Sequence, residues 1–367
     1  MIQKMLNKNW KFLLDDPLRA DRHNFWDKGY DDRAWKSVTL PHDWSVEYPF
    51  SEEFSSGTGY VTGGIAWYRL RFSLPEEVRG KKLFLHFDGV YKNSQVWMNS
   101  YYLGKRPNGY TSFSYDISEQ ACFGSLENVI VVKVSHTDLA DSRWFTGSGI
   151  YRKVYLTVQD EVYLENDSLF FQAKEVSEKS AVLEIQTTIS NDCDHEEEVI
   201  LRHELKDVEQ KVVLQKEFSL ALKAKESRMN VLQETLEKPK LWSDKEVNLY
   251  QLTTTLVYHQ EERVVDQRKV GIRKIAFDPN SGFFINDVNM KLKGVCVHHD
   301  AGALGAAVTA NVWKRRLEKL KAMGCNAIRC SHNPHMPELY ELCDEMGFYV
   351  IDEAFDEWEG PKNKWST

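Results

Sequence analysis

The residues best suited to chemistry sit in two stretches near the C-terminal end of the chain. KLKGVCVHH (residues 291–299) closes on the paired histidines His298 and His299. NAIRCSHNPHMPELYELCDEMGFYVIDEAFDEWE (residues 326–359) carries Arg329, His332 and Asn333, then Asp352, Glu353, Asp356 and Glu357. Imidazole, guanidinium, amide and carboxylate groups gathered in one cleft can bind hydroxyls, hold a developing charge or move protons. The neighbouring pairs Asp352/Glu353 and Asp356/Glu357 are rejected as a catalytic acid/base pair. Adjacent side chains on one strand end point to different sides and cannot flank a single bond.

These groups need a scaffold, and the periodicity around them supplies one. Residues 291–299, 326–332 and 348–355 read as mostly apolar strands. Between them lie two amphipathic helices. NVWKRRLEKLKAMG (residues 311–324) places Trp313, Leu317, Leu320 and Met323 on one face and stops at Gly324. PELYELCDEMG (residues 337–347) starts on Pro337, buries a stripe of Leu339, Leu342, Cys343 and Met346, and stops at Gly347. Strand alternating with helix implies parallel βαβ units, and His298, His299, His332, Asn333, Asp352 and Glu353 all follow strand C-terminal ends, which in a (β/α)8 barrel is the catalytic face.

Upstream the text is β. Short runs rich in Val, Tyr, Phe and Trp (residues 66–74, 82–90, 94–104, 128–135 and 152–158) indicate a jelly-roll sandwich over residues 1–160. Its Trp residues are mostly core. Two loops exceed simple connections: residues 42–64, and residues 136–152, where Asp138, Asp141, Arg143 and Trp144 could hydrogen-bond to and stack on a sugar. Over residues 161–275 aromatics thin and Lys and Glu rise, with strand signals at residues 181–190, 198–205 and 248–258; an immunoglobulin-like sandwich acting as a spacer is expected, with the charge run at residues 192–198 on a solvated edge. Residues 276–367 are then the start of the barrel.

The composition narrows the partners. A formal net charge of −8 argues against nucleic acid, since phosphate binding needs a basic face. The six cysteines contain no CxxC pair and read as reduced core thiols. No stretch approaches the roughly 20 apolar residues of a membrane span, and the N-terminus lacks a signal-peptide pattern, so no membrane association and a cytoplasmic location are expected.

The chain resembles glycoside hydrolase family 2, the family of β-galactosidases and β-glucuronidases. The resemblance rests on residues 326–354 and on PHDW (residues 41–44), GGIAWYR (63–69), FDGVY (87–91) and SGIYR (148–152). It implies a jelly-roll, an immunoglobulin-like domain and a barrel, and a retaining exo-β-glycosidase acting on a carbohydrate. His332 would touch the sugar or transition state, Arg329 would orient the nucleophile, His298 and Asn333 would meet substrate, Asp352 and Glu353 would build the pocket floor, and Arg143 and Trp144 would reach in from the jelly-roll. Arg329 could instead simply pair with Asp352. No cofactor is required. A magnesium site of the galactose-active branch uses a Glu and a His two residues later; here Glu357 and Glu359 stand there, which leaves Glu357 as the metal candidate and Mg2+ in question. A homo-oligomer is expected for the full-length protein. The family's acid/base and nucleophile, two Glu on later barrel strands, are expected beyond Thr367, so this chain alone should be inactive, with an unpaired barrel edge leaving residues beyond about Asn280 loose, oligomeric or held by a partner. The competing reading is a non-catalytic carbohydrate-binding protein built from the same domains.

Overall fold

The computed structural model describes residues 2–15, 23–137 and 142–356. Two antiparallel sheets make the first sandwich. One orders Ile2–Met5, Val154–Gln159, Lys82–Phe87 and Phe113–Asp116. The other orders Lys36–Val38, Trp10–Asp15, Gly64–Ser73, Glu127–His136, Ser94–Met98 and Tyr101–Arg106. Strict alternation lets each strand send Trp10, Phe12, Tyr68, Leu85, Phe87 or Val132 into one shared core. Residues 94–104, expected as one strand, are a hairpin. Asn99 and Ser100 both have positive φ, 49° and 74°, the geometry of a tight two-residue turn, without the glycine that normally signals it.

The second sandwich packs Ser180–Asn191, Val162–Leu164, Phe170–Lys174 and Ser227–Glu237 against Val212–Leu222, Glu197–Lys206, Leu249–Tyr258 and Glu261–Gly271. Five of these strands were not anticipated: the short Val162–Leu164 and Phe170–Lys174, and three longer ones. Val212–Leu222, Ser227–Glu237 and Glu261–Gly271 are dense in Lys, Arg, Glu and Gln on their solvated faces, which hides the alternate Leu and Val that enter the core.

Beyond a small sheet of Ile275–Asp278, Gly282–Ile285 and Val288–Asn289, the barrel segment follows. It consists of β1 (Gly294–Val297), α1 (Ala310–Ala322), β2 (Ala327–Cys330), α2 (Pro337–Met346) and β3 (Tyr349–Asp352), with β1, β2 and β3 parallel in sequence order. Trp313 and Leu317 of α1 and Leu339 and Cys343 of α2 pack on Ile328 and Cys330 of β2. Met323, expected on this face, is exposed at the C-cap of α1. Gly347 closes α2 in the left-handed conformation at φ +69°, and a Cβ there would lie 2.8 Å from the Asp244 carbonyl oxygen. Cys296 is exposed rather than a core thiol. Among the described residues no helix is long and apolar enough to cross a membrane.

The second sandwich is more than a spacer. Trp242, almost fully buried, donates its indole N–H to the Asp344 carbonyl at 2.9 Å and meets the Tyr349 ring edge-on at 5.4 Å. With Ile285 and Ala327 it plugs the N-terminal end of β2 and β3.

Candidate active site

Successive residues of a parallel strand face opposite sides, and this sorts the site. Ile328, Cys330 and Val350 face the helices. Arg329, in register with Cys296 on one side and Ile351 on the other, faces the barrel interior. There its guanidinium pairs with Glu353, which follows β3, and reaches the Cys296 sulfur at 3.5 Å. These contacts pull the Cys296 thiol down and hold Arg329 above its ordinary range.

His332, two residues past β2 and preceded by a cis peptide, is the centre of the cluster. Its Nδ1 lies 3.2 Å from Glu353 Oε2 and 3.3 Å from Asp356 Oδ1. A carboxylate only accepts, so Nδ1 carries the proton and Nε2 is left for another partner. His298, after β1, meets the His332 ring at 5.3 Å, and burial, then the neighbouring His332, lowers its proton affinity.

The first sandwich supplies the remaining wall. Trp144 lies 4.7 Å from the His332 ring and donates its indole N–H to the Tyr110 hydroxyl at 3.3 Å. Arg143 donates to Asp356 at 2.8 Å. The loops are fixed to the barrel by buried polar contacts. Arg152 donates to the Pro334 carbonyl at 2.7 Å and to the Tyr110 carbonyl at 2.9 Å. His299 donates to the Thr146 carbonyl at 3.0 Å; burial pushes it down to about 4. Asp43, of the PHDW motif, accepts from the Ala306 amide in the β1–α1 loop at 2.8 Å and from the Ser148 amide at 2.9 Å. Gly305 and Gly147 make room for it: a Cβ on either would lie 2.2 or 2.6 Å from Asp43 Oδ2.

Six of the anticipated residues therefore converge: His298, Arg329, His332, Glu353, Arg143 and Trp144. Two do not. Asn333 is fully buried, with its amide donating to the Pro334 carbonyl at 2.9 Å and its Oδ1 without a hydrogen-bond partner among the described residues. Asp352 falls on the helix side, where it accepts from the Tyr340 hydroxyl at 2.9 Å; it is not pocket floor, and the partner of Arg329 is Glu353. Glu357 lies outside the described residues, as do Asp138 and Asp141. Three residues were missed. Asp356 sat in a pair rejected for catalysis, Asp43 lay in a quoted motif without a role, and Tyr110 gave no signal.

His332, Glu353 and Asp356 offer donor atoms within 4.8 Å of one another. They suit Mg2+ poorly, because its ligands are carboxylates free to neutralise it. Here Glu353 and Asp356 already face Arg329 and Arg143.

Comparison with known proteins matches all three parts of the chain to one family. Residues 3–159 match the sugar binding domain of glycosyl hydrolases family 2, residues 162–273 match a second domain of that family, and residues 279–365 match its TIM barrel domain. This chain belongs to glycosyl hydrolase family 2. It is 41% identical to a β-galactosidase of Bacteroides ovatus over 97% of this chain and 41% of the relative, and 36% identical to a putative β-glucuronidase of Formosa agariphila over 97% of this chain and 33% of the relative. A family 2 member from Bacteroides cellulosilyticus superposes with a TM-score of 0.90 at 34% identity, over 100% of this chain and 47% of that structure. The chain thus spans less than half the length of each of these three relatives.

Proposed function

We propose that this chain forms the sugar-binding part of a retaining exo-β-glycosidase of the β-galactosidase type, which releases terminal β-linked sugars. The observation that carries the reading is the joint wall of His298, His332 and Trp144, assembled from two domains at the C-terminal ends of the barrel strands. Trp144 offers an aromatic face to the apolar side of a sugar ring. His332, its Nδ1 oriented by Glu353 and Asp356, leaves Nε2 to meet a sugar hydroxyl. Both guanidiniums at the site, Arg143 and Arg329, already face carboxylates, which favours a neutral sugar over a uronate.

Retention needs two carboxyl groups about 5–5.5 Å apart, one protonating the leaving oxygen and one attacking the anomeric carbon. Glu353 and Asp356 are committed to Arg329, Arg143 and His332, so we infer that the pair comes from later barrel strands and that the 367-residue chain alone is inactive. The test uses the whole enzyme that carries this chain, with nitrophenyl β-galactoside and β-glucuronide side by side and the anomer of the first product followed by NMR. The galactoside should turn over faster and release the β-anomer first. Trp144→Ala should lower kcat/KM by about 2- to 10-fold, the worth of one aromatic contact at roughly 0.5–1.5 kcal/mol. Preference for the glucuronide, an inverted product, or turnover by the chain alone would overturn the reading.

A further inference from the structure

The second sandwich holds a donor cluster far from the sugar site. In DCDHEEE (residues 192–198) a bend over residues 193–195 leads into the strand Glu197–Lys206 and gathers Cys193, His195 and Glu197 on one side. Their donor atoms lie within 4.8 Å of one another. His195 Nε2 is 2.8 Å from Glu197 Oε1, and His259, from the tip of the hairpin joining Leu249–Tyr258 to Glu261–Gly271, brings its Nε2 to 3.4 Å from Glu197 Oε2. Glu161, just past the last strand of the first sandwich, reaches the Cys193 sulfur at 3.7 Å, and the Tyr258 hydroxyl lies 3.8 Å away on another side.

Surface His–Glu pairs need no special reason, but this one surrounds a buried thiol. Cys193 is 4% exposed, yet its sulfur faces two carboxylates and a phenol rather than the apolar neighbours expected of a core thiol. The turn is also held in place. Asn191, buried, accepts from the Cys193 amide at 2.9 Å and donates to the carbonyls of His195, Leu222 and Lys223 at 2.9–3.0 Å. Such a scaffold fixes the buried donors, while His195 and His259, whose side chains are mostly exposed, can swing to complete a shell.

We propose that Cys193, His195, Glu197 and His259 form a structural site for a borderline-soft divalent cation of the zinc class. One thiolate, two imidazoles and one carboxylate are zinc's ligand types. Tetrahedral zinc, with bonds of about 2.0–2.3 Å, sets donors about 3.3–3.8 Å apart; Glu197 lies 2.8 Å from His195 and 3.4 Å from His259, and Cys193, His195 and Glu197 all fall within 4.8 Å of one another. On binding, the Cys193 thiol gives its proton to solvent and the sulfur becomes a ligand. The ion would join the connection between the two sheets at residues 192–196 to the hairpin tip at residues 259–260, beside Glu161 and at the passage from the first sandwich to the second.

Metal-stripped chain titrated with Co2+ tests this. The expected result is a thiolate-to-cobalt charge-transfer band that Zn2+ displaces. Cys193→Ser should abolish it, and His195→Gln and His259→Gln, at exposed positions that fold safely, should each weaken Co2+ binding at least 10-fold, no less than the loss an outer-shell change causes. Cys296→Ser should leave the band unchanged. Absence of the band in the unmutated chain, its persistence in Cys193→Ser, full-strength binding in both histidine variants, or its loss in Cys296→Ser would overturn the proposal.

Discussion

Replacing Asp43 by Asn separates two jobs done by one carboxylate. Oδ1 accepts from the Ser45 amide at 3.0 Å, the Ser45 hydroxyl at 2.5 Å and the Ser148 amide at 2.9 Å, all within the first sandwich. Oδ2 accepts from the Ala306 amide, 263 residues away in the barrel. An asparagine keeps its carbonyl oxygen where three donors converge, which turns its NH2 toward the Ala306 N–H. Two donors then face each other in a buried site, and the amide of Ala306 loses its acceptor. Leaving one buried donor unsatisfied costs about 1–3 kcal/mol, which corresponds to about a 5- to 150-fold increase in opening of the contact. Hydrogen exchange on the 367-residue chain reads this directly. Amides around Ala306 should exchange faster by that factor in Asp43→Asn, while strands of the first sandwich such as Gly64–Ser73 keep their protection. Gly305→Ala attacks the same contact from the barrel side, where a Cβ would lie 2.2 Å from Oδ2 at φ +56°, and should give the same pattern. Unchanged exchange at Ala306 in both variants would refute the view that this carboxylate ties the sandwich to the barrel.

Two further predictions concern the second sandwich. Trp242→Ala should destabilise the barrel segment by about 3–5 kcal/mol, as for other buried aromatics, seen as an earlier denaturant transition of β1–β3; a transition shift confined to the second sandwich would speak against the plug. Burial pushes His203 down to about 4 from an ordinary 6.5, with its Nδ1 3.0 Å from the Thr254 hydroxyl. The unfolded chain therefore takes up this proton first, so the stability His203 contributes is complete above about 6.5 and is lost as pH falls toward 4. His203→Gln should flatten the melting temperature against pH over that window, and an unaltered slope would reject the assignment.

How far the sequence could be read depended on the range of the interaction. The barrel units were legible because their signals are local: Pro337 opens α2, Gly347 closes it, and Leu339 and Cys343 recur at helical spacing. His298 and His332 were legible because strand ends place polar residues predictably, whereas Arg329, inside β2, was singled out only by the family resemblance. The edges were harder. Val212–Leu222 and Glu261–Gly271 hide one apolar face behind Lys and Glu on the other. Asn333 and Asp352 look like site residues in the linear text, but strand alternation and a loop turn send them away from it. Asp43 could not be assigned a role at all, because its decisive partner is a backbone amide, and amides carry no signature in a sequence.

The wall of the sugar site also bears on the order of folding. Arg143 and Asp356 meet across 213 residues of chain, and Arg152 and Pro334 across 182. Contacts of such separation bear a high loop-closure entropy and form late. Each sandwich, with its own core, can collapse first, but His332 gains Trp144 only when the finished jelly-roll seats on the nascent barrel. Ligand recognition would then be the final event of the folding programme, and sugar affinity a sensitive report on whether that programme has run to completion.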